Sequence, residues 1–554
     1  MRRRIAVLLF TFLVWLLPAS PTHAWDRDGI GLPSTAVESS GIVSVARSAD
    51  QLDVVWIRAD GAVATAHWSD GRRVWDPQLA APAGSAATGS LSGGLAVVAR
   101  NPSHLDVFWI RPDGAVASSW WDAATRRWAA PFTIAPARDA LPGTLAAVAR
   151  NPDQLDVFWI GPDRAIGTTA WNPQHGWLRP WPLTAPAAAR YPAGALSVLS
   201  RTRDQLDLFW VRPDGGVSTA WWNAQANWPS RSIAPAGHVL IGDRTTPRRA
   251  ALTAVSRRPD QLDVFWIGPD GGIGTTTWNP RLNWPSPWPI TPPGAALPGA
   301  LSATARTGAR LEVAWISPQN RLQTLSFDEG IPGGWSGRAA SAAGSALPGA
   351  VNLISRRPDR LDAFWVRPNH TVGTDWWSPE HVNVHIRLVD LPHADLVEAT
   401  YDGERMAQVF RQAELRVDRV TVEHMTHSDT KTTYNVGACD RDEATDNGPL
   451  TTDQKDLLQD RPNVPTTDIV LYVVDFLAPA HTVGCGNYVP GQPAAIVSLD
   501  AGPLDWAHEV AHVLGLEHVN DKTNLMYPDD SRSGTPLLTA QQKTTMYQSP
   551  LSLS

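Results

Sequence analysis

Apolar and polar positions recur in one order along the first two thirds of the chain. The order is clearest where an apolar run, LAVVAR at residues 95–100, is followed by LDVFWI at residues 105–110 and AVASSWW at residues 115–121. A Pro-Asp-Gly turn separates the last two runs, since proline presets φ for a tight turn and glycine supplies a positive φ. Short apolar runs joined by such turns predict neighbouring antiparallel strands.

This order occurs seven times. The first copy, QLDVVWIRADGAV, begins at Gln51, and the others begin 49 to 56 residues apart at His104, Gln154, Gln205, Gln261, Arg310 and Arg360. A fourth short strand follows in most copies, as at residues 128–134. Four strands in about 50 residues are typical of one blade of a β-propeller. Residues 25–379 are therefore predicted to form an all-β propeller with seven blades.

The seventh copy lacks the fourth strand, because a different kind of sequence begins after Pro379. The segment WDRDGIGLP at residues 25–33 is similar to the missing strand. We predict that it completes blade seven, which would close the ring and remove a free sheet edge.

The repeats resemble those of seven-bladed propellers of the bacterial fucose-binding lectin type, which carry LDVF…DG…WW repeats. This resemblance implies carbohydrate as a partner, and a protein-binding or structural platform is the alternative. Seven tryptophans at a constant repeat position are predicted to pack between blades: Trp56, Trp109, Trp159, Trp210, Trp266, Trp315 and Trp365. The second tryptophan after the turn is the candidate sugar contact, in Trp121, Trp222 and Trp377.

Residues 380–554 follow a different pattern, in which strands and helices alternate. Residues 395–413 have the spacing of an amphipathic helix. Four runs predict strands, at residues 385–391, 415–425, 468–474 and 495–499. Pro503 suits the first position of a helix, and Thr539 suits the N-cap of a C-terminal one. The chain is therefore predicted to be multidomain, with an α/β (α+β) domain after the propeller.

The stretch HEVAHVLGLEH, from His508 to His518, carries the chemistry of this second domain. His508 and His512 are four residues apart, so both imidazoles leave one face of a helix. Glu509 is placed to reach a metal-bound water. Gly515 can adopt a positive φ, which allows the backbone to turn sharply after the helix. Such a turn would place His518 beside the two helical histidines as a third ligand. Three imidazoles leave zinc one open position, as in catalytic sites.

The long motif, followed by Met526 in NLMYP, resembles the metzincin zinc metalloproteases and their matrixin branch. The resemblance implies a Zn²⁺ cofactor, a protein or peptide substrate, and Glu509 as the general base. It also implies that Met526 packs beneath the metal without binding it. Residues 483–488 resemble the edge strand of the metzincin cleft, to which extended substrate would add. The alternative is a lectin or protein-binding protein whose protease domain is latent or inactive.

Residues 1–24 have the form of a secretory signal: three arginines, an apolar run at residues 5–17 and a small residue before the cut. The apolar run is too short to span a bilayer, so the protein is predicted to be secreted without a membrane span. In an oxidising compartment Cys439 and Cys485 are expected to form a disulfide, and a cysteine that caps the zinc is the alternative.

An acidic loop at residues 439–448 offers Asp440, Asp442 and Asp446 as candidate Ca²⁺ ligands. The terminal glutamate of the 12-residue calcium loop is missing, which favours a solvated loop. The formal net charge is −7 and no basic stripe occurs, so the sequence does not support nucleic-acid binding.

Overall fold

The computed structural model describes residues 30, 36, 41–69, 75–89, 94–143, 145–191, 195–241, 251–299, 301–329, 334–358, 360–377, 381–413, 415–427, 431–436, 450–479, 482–487, 491–528, 536–547 and 549–552. The chain divides into two compact units, Met1–Trp377 and Ser378–Ser554. The helices in the described part of the chain all lack the combination of length and hydropathy that a membrane span requires.

In its described part, the first unit contains seven antiparallel sheets, one for each sequence repeat. Blades one to three consist of β1 (Ile42–Ser48), β2 (Gln51–Ile57), β3 (Val63–Ser69) and β4 (Trp75–Ala81); β5 (Leu95–Asn101), β6 (His104–Ile110), β7 (Val116–Asp122), β8 (Arg127–Trp128) and β9 (Phe132–Ala135); and β10 (Leu145–Asn151), β11 (Gln154–Ile160), β12 (Ile166–Asn172), β13 (Gly176–Trp177) and β14 (Trp181–Pro182).

Blades four to seven continue the same plan. They consist of β15 (Leu196–Thr202), β16 (Gln205–Val211), β17 (Val217–Asn223) and β18 (Ala226–Ala234); β19 (Leu252–Arg258), β20 (Gln261–Ile267), β21 (Ile273–Trp278) and β22 (Trp288–Pro289); β23 (Leu301–Ala305), β24 (Arg310–Ile316), β25 (Leu322–Asp328) and β26 (Trp335–Ala339); and β27 (Val351–Arg357), β28 (Arg360–Val366) and β29 (Val372–Trp377).

The second strand of every blade is buried on both faces, which explains its continuous LDVFW-type apolar run. The constant tryptophans lie between blades as predicted. Trp109 of blade two packs against Val55 and Ile57 of blade one, and its indole nitrogen donates to the carbonyl of Ser85 at 3.0 Å. Blade seven shares a core with blade one in the same way, through Phe364. The prediction of a seven-bladed, all-β propeller is confirmed.

Two described residues near the N-terminus lie where the ring closes. Ile30 packs in the core that blades seven and one share. The backbone nitrogen of Ala36 donates to the carbonyl of His370 at 2.8 Å, and Ala36 also pairs with Arg58. The rest of the segment 25–33 lies outside the described residues, so its predicted role as the closing strand stays a prediction.

The second unit is built from seven strands and four helices in its described part. The strands are β30 (His381–Val389), β31 (Arg416–Met425), β32 (Thr433–Asn435), β33 (Ile469–Val474), β34 (Phe476–Ala478), β35 (Gly484–Asn487) and β36 (Ala494–Ser498). The helices are α1 (Leu396–Phe410), followed by a 3₁₀ turn at Arg411–Ala413, α2 (Thr452–Gln459), α3 (Pro503–Val513) and α4 (Ala540–Tyr547).

A five-stranded sheet in the order β31-β30-β33-β36-β35 forms the centre of this unit. Its first four strands are parallel, and β35 pairs antiparallel with β36 at the edge. Every residue of β33 is buried, as its apolar sequence IVLYVV predicts. Met406 and Phe410 of α1 and Val510 of α3 share the core with this sheet. The unit is therefore a sheet-and-helix layer arrangement.

Candidate functional site

Helix α3 places two histidines of the HEVAHVLGLEH stretch on one face. The helix begins after Gly502, whose backbone nitrogen donates to the carboxylate of Asp505 at 3.0 Å, with Pro503 in its first turn. His508 and His512 follow one turn apart, and their rings lie 4.7 Å from each other at a steep angle. The predicted start of this helix at Pro503 agrees with the structure.

Gly515 ends the helix and redirects the chain. Its φ is +95°, in the left-handed region that favours glycine. The nitrogen of Leu516 then donates to the carbonyl of Ala511 at 3.0 Å, and His518 faces the two helical histidines. The Nε2 atoms of all three histidines lie 3.1 Å from one another. Among the described residues this is the one cluster of three or more metal-ligating side chains close enough to hold an ion.

Backbone carbonyls fix the protonation pattern of two of these rings. The Nδ1 of His508 donates to the carbonyl of Leu525 at 2.8 Å, and the Nδ1 of His512 donates to the carbonyl of Leu516 at 2.7 Å. A carbonyl only accepts, so in the neutral rings both protons sit on Nδ1 and both Nε2 atoms carry lone pairs. Two lone pairs facing each other at 3.1 Å repel unless a cation lies between them.

The spacing and charge state of the cluster fit zinc. Two nitrogen ligands of a tetrahedral zinc lie about 3.3 Å apart, close to the separation observed here. Burial, with His518 nearby, lowers the pKa of His512 to about 4, so this ring is neutral at pH 7. Neutral imidazole is the form that binds metal.

Glu509 of α3 is buried, and its side chain faces the edge strand β35. A Cβ added at Gly484 would come within 2.6 Å of the Glu509 carboxylate. At Gly486 it would overlap the backbone oxygen of Glu509 and come within 2.8 Å of the Cβ of His512. Glycine at both positions therefore lets the strand lie directly against Glu509 and His512.

Met526 is fully buried. It follows Leu525, whose carbonyl accepts the hydrogen bond from the Nδ1 of His508. Its nitrogen donates to the side-chain oxygen of Asn524, and its carbonyl accepts from the nitrogen of Val519, both at 2.9 Å. The backbone of the predicted Met-turn is thus hydrogen-bonded to the segment that carries the histidine cluster. The side chain of Tyr527 lies near Lys522, with the ammonium 5.6 Å from the ring centre.

Several predicted features lie outside the described residues. These are the signal segment 1–24, the candidate Ca²⁺ ligands Asp440, Asp442 and Asp446, and Cys439. Cys485 is disulfide-bonded, and its sulfur accepts from the Gln454 amide at 3.3 Å. Because its partner is not described, the pairing with Cys439 stays a prediction.

The propeller contains a second kind of arrangement that is repeated in every blade. An arginine at the end of the first strand pairs with a carboxylate in the second strand, six residues later, at 2.6 to 3.0 Å. The pairs are Arg47–Asp53, Arg100–Asp106, Arg150–Asp156, Arg201–Asp207, Arg257–Asp263, Arg306–Glu312 and Arg356–Asp362. An aromatic ring of the following blade covers several of these guanidinium groups, as Trp222 covers Arg150 at 4.6 Å.

The predicted sugar contacts belong to this arrangement. Arg47 lies 4.4 Å from the Trp121 ring centre, and Arg306 lies 4.2 Å from that of Trp377. Trp121 is 8% exposed and Trp377 is 2% exposed, whereas Trp222 is half-buried. An arginine thus occupies one face of each ring. Contact with sugar at these three positions stays a prediction.

A cavity of about 320 Å³ lies between blades two and three. Its lining consists of Arg100, His104, Asp106, Trp120, Phe132, Leu155, Trp171 and Trp177. Trp120 and Phe132 form its exposed part, and Arg100 pairs with Asp106 at 2.6 Å. Burial raises the pKa of Asp106, an effect that Arg100 opposes. Trp171 has the repeat position in blade three that Trp121 has in blade two, since each pairs with the first leucine of its LDVF run. Trp120, on the opposite face of its strand from Trp121, was not among the predicted contacts.

No family model matches this chain, and no curated protein matches it. Among solved structures, the BP39L lectin of Burkholderia pseudomallei is similar, with a TM-score of 0.55, 23% identity, and coverage of 62% of this chain and 96% of that one. AofleA of Arthrobotrys oligospora has a TM-score of 0.40 and 15% identity, over 57% and 90% of the two chains. The six-bladed lectin of Aleuria aurantia has a TM-score of 0.37 and 16% identity, over 57% and 98%. The first similarity supports the propeller fold.

Proposed function

We propose that this protein is a secreted, zinc-dependent endopeptidase of the metzincin type, joined to a propeller that binds carbohydrate. The similarity to the BP39L lectin concerns the propeller, so support for the peptidase comes from the geometry of the second unit. One observation carries it: the three Nε2 atoms of His508, His512 and His518 converge at 3.1 Å, and on two of the rings a backbone carbonyl holds the proton on the opposite nitrogen. Metal ligation explains that pattern.

His508, His512 and His518 would hold the zinc, which when bound acidifies a water molecule and polarises the scissile carbonyl. Glu509 projects from the same helix, one residue after a ligand, and is shielded by β35. Its carboxylate accepts the proton of the attacking water and returns it to the leaving amine. The edge strand β35 offers backbone groups to an extended peptide beside this carboxylate.

Cleavage of a denatured protein by the purified mature chain tests this proposal. Glu509→Ala should lower the rate by about 10²- to 10⁴-fold while zinc stays bound, because it removes the base and no ligand. Glu517→Ala is the matched control, since Glu517 is an exposed glutamate of the same stretch and should leave the rate within about twofold. Removal of zinc by a chelator should abolish cleavage.

A wild-type chain that neither binds zinc nor cleaves would refute the peptidase proposal. It would favour the alternative, a propeller lectin or protein-binding protein with an inactive second unit. One bound zinc per chain without cleavage would indicate a latent or narrowly selective enzyme instead.

The cavity between blades two and three favours carbohydrate as the ligand of the propeller. Its walls offer indole faces from Trp120 and Trp171 beside the charged pair Arg100–Asp106. Apolar walls with a few convergent polar groups are typical of small-ligand sites, and sugar rings present both apolar faces and hydroxyls. A glycan array with the Glu509→Ala chain tests the idea. Silence across all glycans would favour a structural or protein-binding platform.

A further inference from the structure

A buried pair of side-chain amides joins the C-terminal helix α4 to the zinc-binding region. The Nδ2 of Asn524 donates to the Oε1 of Gln542 at 2.9 Å, and the Nε2 of Gln542 donates back to the Oδ1 of Asn524 at 3.1 Å. Both residues are buried. A buried amide costs free energy unless its hydrogen bonds are made. The proposed hydrolytic mechanism uses neither amide, so it does not explain why they are buried there.

Backbone groups fix the direction of this pair. The nitrogen of Met526 donates to the Oδ1 of Asn524, and the nitrogen of Thr539 donates to the Oε1 of Gln542, both at 2.9 Å. A backbone N–H can only donate, so each amide must turn its oxygen toward that group. A flipped amide would bring two donors together. The pair therefore has one orientation.

Asn524 acts on the same peptide unit that holds a metal ligand. The carbonyl of Leu525 and the nitrogen of Met526 belong to one planar peptide. The Asn524 side chain holds its N–H, and the Nδ1 of His508 donates to its carbonyl oxygen at 2.8 Å. Fixing one end of a rigid plane fixes the other, so the side chain of Asn524 sets the direction of the carbonyl that orients His508.

We propose that Asn524 and Gln542 are positioning residues for zinc, acting through the Leu525–Met526 peptide on His508. This inference rests on the metal site proposed above. Loss of either amide should weaken zinc binding although every ligand remains. Mutation of a residue that hydrogen-bonds a metal ligand typically lowers metal affinity by about 10- to 100-fold. Because the Leu525–Met526 peptide lies between Asn524 and His508, we expect the lower end, about tenfold.

The test is the zinc dissociation constant of the full mature chain, measured by competition with a chromogenic chelator. Asn524→Ala and Gln542→Ala should each bind zinc about tenfold more weakly, and the double variant no worse than Asn524→Ala, because the two act as one unit. Asn524→Asp keeps the acceptor for the Met526 nitrogen, and a buried carboxyl whose other oxygen is protonated still donates to the Oε1 of Gln542, so this variant should recover most of the affinity. Thermal unfolding of the metal-free chains shows whether each variant folds.

Gln412→Ala is the matched control. Gln412 anchors the segment that leads into α4, donating to the carbonyl of Pro536 at 2.8 Å and accepting from the nitrogen of Leu538 at 3.3 Å, without contacting Asn524. Its variant should keep wild-type zinc affinity.

Unchanged affinity in Asn524→Ala and Gln542→Ala, or an equal loss in Gln412→Ala, would overturn the inference and leave the amide pair as a helix anchor. If the alanine variants do not fold, Asn524→Asp decides, since a tenfold loss despite its intact acceptor would also overturn it. A wild-type chain that binds no zinc would refute the metal site itself, which is a separate result.

Discussion

In the propeller, one arginine–carboxylate pair recurs in all seven blades, whereas the described part of the second unit holds a single cluster of metal-ligating side chains, the three histidines. Each propeller pair contains its own counter-charge. The histidine cluster instead turns the lone pairs of His508 and His512 toward its centre, as the proposed zinc site requires. In the propeller, seven equivalent pairs each neutralise their own charges. In the second unit, the proposed zinc site is a single place where charge and lone pairs would be matched.

This difference predicts how each unit responds to change. A repeat protein is stabilised by the sum of many similar local interfaces, so the loss of one costs a fraction of the total. A metal-binding site is a single unit, and its stabilisation depends on ligand concentration. Calorimetry of the full chain, with one unfolding transition expected per unit, measures both behaviours in one experiment.

The largest effect should come from the metal. Zinc at about 1,000 times its dissociation constant should raise the free energy of unfolding of the second unit by about 4 kcal/mol and leave the propeller transition unmoved. His512→Ala should remove most of this gain, and His393→Ala, which changes an exposed histidine outside the cluster, should keep it. A zinc effect on both transitions would contradict the assignment of the metal to the histidine cluster.

Breaking one propeller pair should have the next largest effect. Asp156→Ala leaves Arg150, whose side chain is only 9% exposed, without its partner, which should lower the stability of the propeller by about 3 kcal/mol and leave the second transition in place. Asp214→Ala is the control, because the Arg212–Asp214 pair is exposed and should contribute less than about 1 kcal/mol. A cost near that of the control would mean that Arg150 finds another partner.

The same contrast explains what the sequence could predict. The propeller was predictable because its pattern is local and repeated, so seven copies of one turn and one apolar run support each other. The shared orientation of His508 and His512 was predictable because i, i+4 spacing fixes the face of a helix. The positive φ of Gly515 was predicted for the same local reason.

Features that depend on packing across the fold were missed. Helix α2 was not predicted, because its sequence TDQKDLLQ is mostly polar, although Thr451 and Gln454 form a capping box at its start. Trp120 was not named as a candidate, because the sequence alone does not show which face of the strand borders the cavity. An edge strand at residues 483–488 was expected through the resemblance alone, and its contact with Glu509 is a tertiary contact that no local pattern predicts.

That contact gives a prediction of intermediate size. Gly486→Ala should destabilise the second unit by about 2 kcal/mol and reduce peptidase activity, since its Cβ would overlap the backbone of Glu509. Gly89→Ala in the propeller is the control, because nothing lies within 4 Å of the added carbon and the cost should stay below about 0.5 kcal/mol. Equal stability of the two variants would show that β35 lies farther from α3 than described.

The smallest effect on stability, about 1 kcal/mol, is expected for Trp120→Ala. Trp120 is 38% exposed at the mouth of the cavity between blades two and three, beside His104, so its loss should weaken carbohydrate retention by about tenfold. Trp181 is equally exposed and does not line this cavity, which makes Trp181→Ala the matched control. An equal loss of retention in both variants would contradict a single pocket. It would mean that binding, like charge compensation, is distributed around the propeller.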